Sequence, residues 1–156
     1  MAIWQFGFSI VPEKALLQKN IGELYNVNPE NFDEIISWNG YGLSEPSIEK
    51  ISKTLEQNQS WSDNIKQFGL LEKTCIELFY EENRLMEVSI RLDLRDLTLD
   101  VLVAVVDFVK DNNALILTPK GVLLRPTVED VIEEIKKSNA YSFIKNPYGF
   151  IASTNN

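Results

Sequence analysis

The segment Arg91-Leu92-Asp93-Leu94-Arg95 alternates charge with leucine, so on a strand Arg91, Asp93 and Arg95 would share one face. Glu77 and Glu81 alternate in the same way on the apolar segment just before it. Such a face could recognise a charged ligand or partner. It could equally be a solvated sheet face whose opposite charges neutralise one another. The second group is the loop Trp38-Asn39-Gly40-Tyr41-Gly42. Trp38 and Tyr41 offer large contact areas and the glycines admit unusual backbone angles, the make-up of a recognition loop. The same Trp38 could instead fold back as a plug over the sheet edge. The third group is a supply of carboxylates, Glu129, Asp130, Glu133 and Glu134 in one run and Asp93, Asp96 and Asp100 in another. Paired carboxylates serve glycoside hydrolysis or hold magnesium. Glu129 and Glu133 with Lys136 and Lys137, however, have the spacing of a solvated helix face.

Composition removes most other chemistry. The chain has no histidine, so Ser-His-Asp and Cys-His pairings and histidine metal ligands are excluded. Its single cysteine, Cys75, allows neither an intramolecular disulfide nor a cysteine-rich metal site, and no base stands ready to activate it. Seven glycines are scattered, with neither a P-loop nor a G-x-G-x-x-G pattern. No catalytic residue, cofactor or metal ligand is assigned. The net charge of −8, spread along the chain, argues against nucleic acid and against an anionic membrane surface. The stretch Met1 to Gly7 lacks the pattern of a signal peptide, and the longest aliphatic run, Val101 to Val106, falls far short of the ~20 residues of a membrane span. The expected compartment is the cytoplasm, with Cys75 reduced.

The elements that must position these groups follow from periodicity. The 156 residues, 44% of them hydrophobic, suit one domain, 1–156, with 153–156 frayed. Residues 3–10 alternate as a strand with Trp4, Phe6, Phe8 and Ile10 on one face. Pro12 opens a short helix. Asn28-Pro29 and the Trp38 loop punctuate an irregular stretch, followed by helices over 47–56 and around Trp61, Ile65 and Phe68, the latter stopping at Gly69. Segments 73–81 and 85–95 predict a hairpin. Pairing 81 with 85 across a loop of Glu82, Asn83 and Arg84 aligns Ile76 with Ile90, Leu78 with Val88 and Tyr80 with Met86. Thr98 caps a central apolar helix, Pro119-Lys120-Gly121 turns a second hairpin, and Thr127 to Asp130 form a capping box for a further helix. The aromatic tail packs down to about Ile151. The prediction is an α+β fold: an antiparallel sheet of about five strands, from two hairpins and an N-terminal strand, with helices mainly on the face of Ile76, Val88 and Ile90.

Arg91-Leu92-Asp93-Leu94-Arg95, an apolar helix, a strand, Pro126-Thr127-Val128-Glu129, then Ser138 to Phe143 and Asn146-Pro147-Tyr148-Gly149-Phe150 together resemble a small bacterial family of single-domain proteins with no assigned activity. The resemblance covers roughly the last 70 residues. In being small, acidic and without catalytic motifs, the chain is also similar to immunity proteins that neutralise bacterial toxins. That likeness implies a protein partner but transfers no residue. The leading expectation is a non-catalytic binding protein of immunity type, using Glu77, Glu81, Arg91, Asp93 and Arg95, the Trp38–Tyr41 loop, or both. A carboxylate-dependent hydrolase or metal enzyme around Asp93 and Glu77 is the alternative from another class, and a homo-oligomeric scaffold joined through a sheet edge is the third.

Overall fold

The computed structural model describes residues 1–18 and 32–154. In chain order the elements are β1 (Gln5–Pro12), α1 (Glu13–Gln18), α2 (Phe32–Ile35), α3 (Glu45–Ser52), β2 (Gln57–Asn58), β3 (Ile65–Gly69), β4 (Cys75–Glu81), β5 (Arg84–Asp93), α4 (Leu99–Asp111), β6 (Ala114–Leu117), β7 (Leu123–Leu124), α5 (Val128–Lys136), α6 (Asn139–Lys145) and α7 (Pro147–Thr154). The class is α+β, as the periodicities predict. Among the described residues the sheet has seven strands, not about five, all antiparallel and in the order β2-β3-β4-β5-β1-β6-β7. The additional strands are β2 and β3. The spacing of Trp61, Ile65 and Phe68 fits a helical face, but Ile65 pairs with Phe79 and Phe68 with Ile76, so the segment is a strand. Gly69 ends that strand at φ +82; a Cβ there would collide with the Thr74 carbonyl, so this close turn requires glycine.

The N-terminal strand is central. Phe8 lies opposite Ile90 of β5, and Ile10 is flanked by Val88 of β5 and Ile116 of β6. Phe6, Phe8, Ile10, Phe68, Ile76, Leu78, Val88, Ile90 and Leu92 form the buried face, packed against Ile51 of α3, Leu102, Val105, Val106 and Val109 of α4, and Val131 and Ile135 of α5. Thr98 and Thr127 cap α4 and α5, each accepting a hydrogen bond from the backbone N–H three residues on. A smaller cluster of Val11, Leu16, Ile35, Leu115, Leu117 and Leu123 covers one end of the other face. Helices therefore lie on both faces; among the described residues α1 and α2 pack over the β1–β6–β7 end of the second.

The β4–β5 hairpin departs from its expected pairing at one point. Ile76 is opposite Ile90 and Leu78 opposite Val88, as the face rule demands, but Tyr80 pairs with Leu85, not Met86. The loop is only Glu82-Asn83, with φ of 50° and 63°, the positive pair of a two-residue type I′ turn. Met86 is the extra residue of a bulge that restores the faces. Other expectations shift at the ends. β1 runs through Pro12, and the helix begins at Glu13. The tail forms α6 and α7, in which Phe143 meets Phe150 edge-on at 6.0 Å while Tyr148 is 88% exposed. Asn28-Pro29, and the terminal Asn155 and Asn156, lie outside the described residues. No described helix is long and apolar enough to cross a membrane.

Candidate functional site

On the second face, cross-strand pairing builds one row, Gln67-Glu77-Ser89-Ser9-Leu117, across β3, β4, β5, β1 and β6. The adjacent row is Gly69-Cys75-Arg91-Gly7. Arg91 and Glu77 meet diagonally, with Arg91 Nη2 3.1 Å from Glu77 Oε1. The other oxygen of Glu77 accepts a hydrogen bond from Trp61 Nε1 at 3.1 Å. Both carboxylate oxygens are engaged, although Glu77 is buried. Trp61 is 72% exposed, so its ring stands over this face with its orientation fixed from below. Cys75 is buried beside the pair, and burial, then the charge of Glu77, pushes its thiol up to about 12. At neutral pH it is a small apolar side chain with no thiolate.

The remaining charges of the Arg91–Arg95 segment do different work. Asp93 is fully buried at the end of β5 and accepts hydrogen bonds from Arg95 through its backbone N–H at 3.0 Å, Nε at 2.9 Å and Nη2 at 2.6 Å. The Asp93 N–H donates to Thr74 Oγ1 at 3.0 Å. Arg95 also lies over the Trp4 ring, 4.1 Å from its centroid. Its hydrogen bonds hold the Asp93 carboxyl below the usual aspartate range and raise the guanidinium. Gln5, opposite Asp93, donates through Nε2 to the carbonyls of Leu71 and Lys73. These contacts tie the start of β1 to the 70–74 turn, so buried Asp93 acts in a structural lock, while Arg95, which closes the lock, stays exposed at its surface. Glu81 stands exposed at the hairpin turn, opposite Arg84.

Trp38 takes the plug position. It is 1% exposed, with Nε1 donating to the Ile10 carbonyl at 2.8 Å and its backbone N–H donating to Met86 O at 2.8 Å. Tyr41 is half-buried against the main core, and only Asn39, Gly40 and Gly42 of the loop are exposed. Of the sequence-derived candidates, the fold brings Glu77 and Arg91 together. It sends Asp93 with Arg95, Glu81, and the Trp38–Tyr41 loop elsewhere.

Between Arg91 and α2 the second face sinks into an open trough of about 640 Å3. Its floor is Ser9 and Ser89, with the Met1 side chain lying over Gly7, and Met1, Ile36, Leu117 and Pro119 supply apolar wall. Glu87 and Asp33 stand at the α2 side. No hydrogen bond or ion pair from the described residues reaches the Glu87 carboxylate. Burial, then Asp33 and Glu77, raise its pKa above the ordinary glutamate value. Trp61, Glu87, Ser89, Ser9 and Asp33 were not singled out from sequence. The signal for Glu87 and Ser89 is present, since both alternate in phase with Arg91. What the sequence lacks is the adjacency of β1 and β5, 80 or so residues apart, that puts Gly7 and Ser9 beside them.

Among the described residues no group of three or more His, Cys, Asp or Glu side chains could hold a metal ion. Among the described residues this face offers a concave shape, one oriented indole, an ion pair and the Glu87 carboxylate, which has no described hydrogen-bond partner. Comparison with known proteins finds no family model that matches the chain, no curated protein that matches it and no solved structure that matches it.

Proposed function

We propose that this is a non-catalytic binding protein that holds a partner protein against the half of the second sheet face that no described helix covers, most concretely an immunity-type protein that neutralises a toxin by occupying it. The trough carries this reading: the described helices of the second face cover one end of it, beside a concave, part-apolar, part-acidic surface near an exposed tryptophan. An aromatic anchor whose orientation is already fixed loses little freedom on binding, which favours affinity. Trp61, held by Glu77, has that property. Within this reading the contact residues are Trp61, Glu77, Arg91, Ser89 and Glu87.

The alternatives have less support. An enzyme built on Asp93 and Glu77 needs both carboxylates facing one cleft, whereas Asp93 is engaged by Arg95 and Glu77 by Arg91 and Trp61. A scaffold extended through the sheet edges would start from β2 and β7, each two residues long and offering a second copy little ladder to continue.

The test is affinity capture from the organism that encodes the chain, with wild-type protein and Ser89→Arg compared after both are shown to melt alike. A protein retained by wild type and lost by Ser89→Arg and Trp61→Ala is the expected result. Growth rescue, when the captured protein is toxic and is co-expressed with this one, would complete the immunity reading. Recovery of the same proteins by all three baits would overturn it.

A further inference from the structure

The charge of the trough is unbalanced. Its ionisable side chains are Asp33 from α2 and Glu87 and Arg91 from β5, with Glu77 of β4 behind Arg91. The lining residues of β1, β6 and the following turn, including Ser9, Leu117 and Pro119, add no side-chain charge. Arg91 is the one cationic side chain among the described residues lining the trough, and it is engaged by Glu77; Met1, which bears the α-ammonium, lines the β1 side, and no ion pair joins it to Glu87 or Asp33 among the described residues. Among the described residues neither Glu87 nor Asp33 has an ion-pair partner as they face the space.

We infer that the partner segment entering this trough is basic and presents a lysine or arginine side chain to Glu87 between β5 and α2. The inference rests on the binding reading above and names the chemistry of the partner. Lysine and arginine join an aliphatic stem to a cationic head, and the stem suits the apolar wall of Ile36, Leu117 and Pro119 over a floor of small residues. The head would give Glu87 a hydrogen-bonded counter-ion that no described residue supplies, at a place where burial and two neighbouring carboxylates already disfavour its charge. An apolar or acidic segment would instead close over an unpaired carboxylate, at the cost of desolvating it. The net charge of −8 would steer a basic partner toward the protein from a distance.

Hexalysine is the probe, titrated into isotope-labelled protein and followed by amide chemical shifts, with hexaglutamate and a Gly-Ser hexapeptide as controls. The expected result is a set of shifts centred on Ser9, Glu87 and Ser89, produced by hexalysine alone and fading as salt is added. Glu87→Gln should weaken that binding about tenfold, while Glu129→Gln, at the exposed start of α5, changes it less than twofold. Shifts scattered over the acidic surface, or equal effects of the two variants, would overturn the inference. The capture experiment separates it from the binding reading. A partner lost by Ser89→Arg but held fully by Glu87→Gln removes the basic segment and leaves the binding protein, and a partner held by both variants removes both.

Discussion

Glu87 and Asp93 lie on the same strand face six residues apart, and the fold treats their charges in opposite ways. Asp93 is surrounded by donors from Arg95, so its carboxyl is held below the ordinary value of 3.8. It stabilises the fold fully above that pH, and the contribution is lost as pH falls further and the folded carboxylate protonates. Asp93→Asn should therefore lower the melting temperature at pH 7 by about 2–4 °C. That difference from wild type should shrink below pH 3.8. Glu87 has no donor among the described residues and a pKa raised above 4.5, so its charged form disfavours folding at neutral pH. Glu87→Gln should leave the protein as stable or more stable at pH 7, by no more than about 1 kcal/mol given its partial exposure to solvent. The gain should fade as pH falls toward 4.5, where wild type also becomes neutral. Melting curves from pH 3 to pH 8 read both. Arg91, Asp93 and Arg95 were legible as charges on one strand side. Their division into a surface pair and an anchoring lock depended on Thr74, Trp4 and the 70–74 turn, which only folding brings near.

At the scale of elements, the β4–β5 hairpin was nearly complete in the sequence because alternation on both strands fixes which residues can face each other. Its last pair escaped because two arrangements satisfy the face rule, a three-residue loop or a two-residue loop with a bulge, and the chain adopts the second. Glu82 and Asn83 occupy positive φ there, where an Asn-Gly pair sits with less strain. Replacing both, Glu82→Asn with Asn83→Gly, should raise unfolding free energy by about 1 kcal/mol in urea titrations. The β3 segment misled for a different reason: the i, i+4, i+7 spacing of Trp61, Ile65 and Phe68 favours a helix, whereas on the strand Ile65 and Phe68 fall on opposite faces and only Phe68 joins the main core. Pairing with β4 decides between them, and Gly69 becomes the turn that permits it. Gly69→Ala should destabilise by at least about 2 kcal/mol, since it combines a positive φ with a collision at the Thr74 carbonyl. Equal stability of that variant would mean the turn can relax without β3.

At the scale of the molecule, β1 holds the sheet together. It comes first in sequence yet lies between β5 and β6, so without it the sheet divides into β2-β3-β4-β5 and β6-β7. Amide exchange should be slowest at Phe8, Ile10, Val88 and Ile90, and fastest within the sheet in β2 and β7. Exchange at β1 as fast as at the edges would contradict this arrangement. The same topology creates the trough, because Ser9 enters the floor only when β1 docks against Ser89 and Arg91. Helix coverage completes it, with α1 and α2 burying one end of the second face and Asp33 of α2 forming the trough's rim across from Glu87 of β5.

The sequence by itself determined the α+β class, the capped helices α4 and α5, both hairpins and the faces of β1, β4 and β5, because these follow from periodicity, capping residues and turn chemistry within short windows. It also struck out histidine-based chemistry, an intramolecular disulfide and a cysteine-rich metal site. The tertiary structure decided which segments became neighbours, and with that every property of the candidate site. Glu77 gained Arg91 and Trp61, Asp93 gained Arg95, Trp38 went into the core, and Glu87 was left without a described partner above a floor of small residues. Charge pairing and desolvation act through space over a few ångströms, and residues that distance apart in this sheet can be some eighty positions apart along the chain.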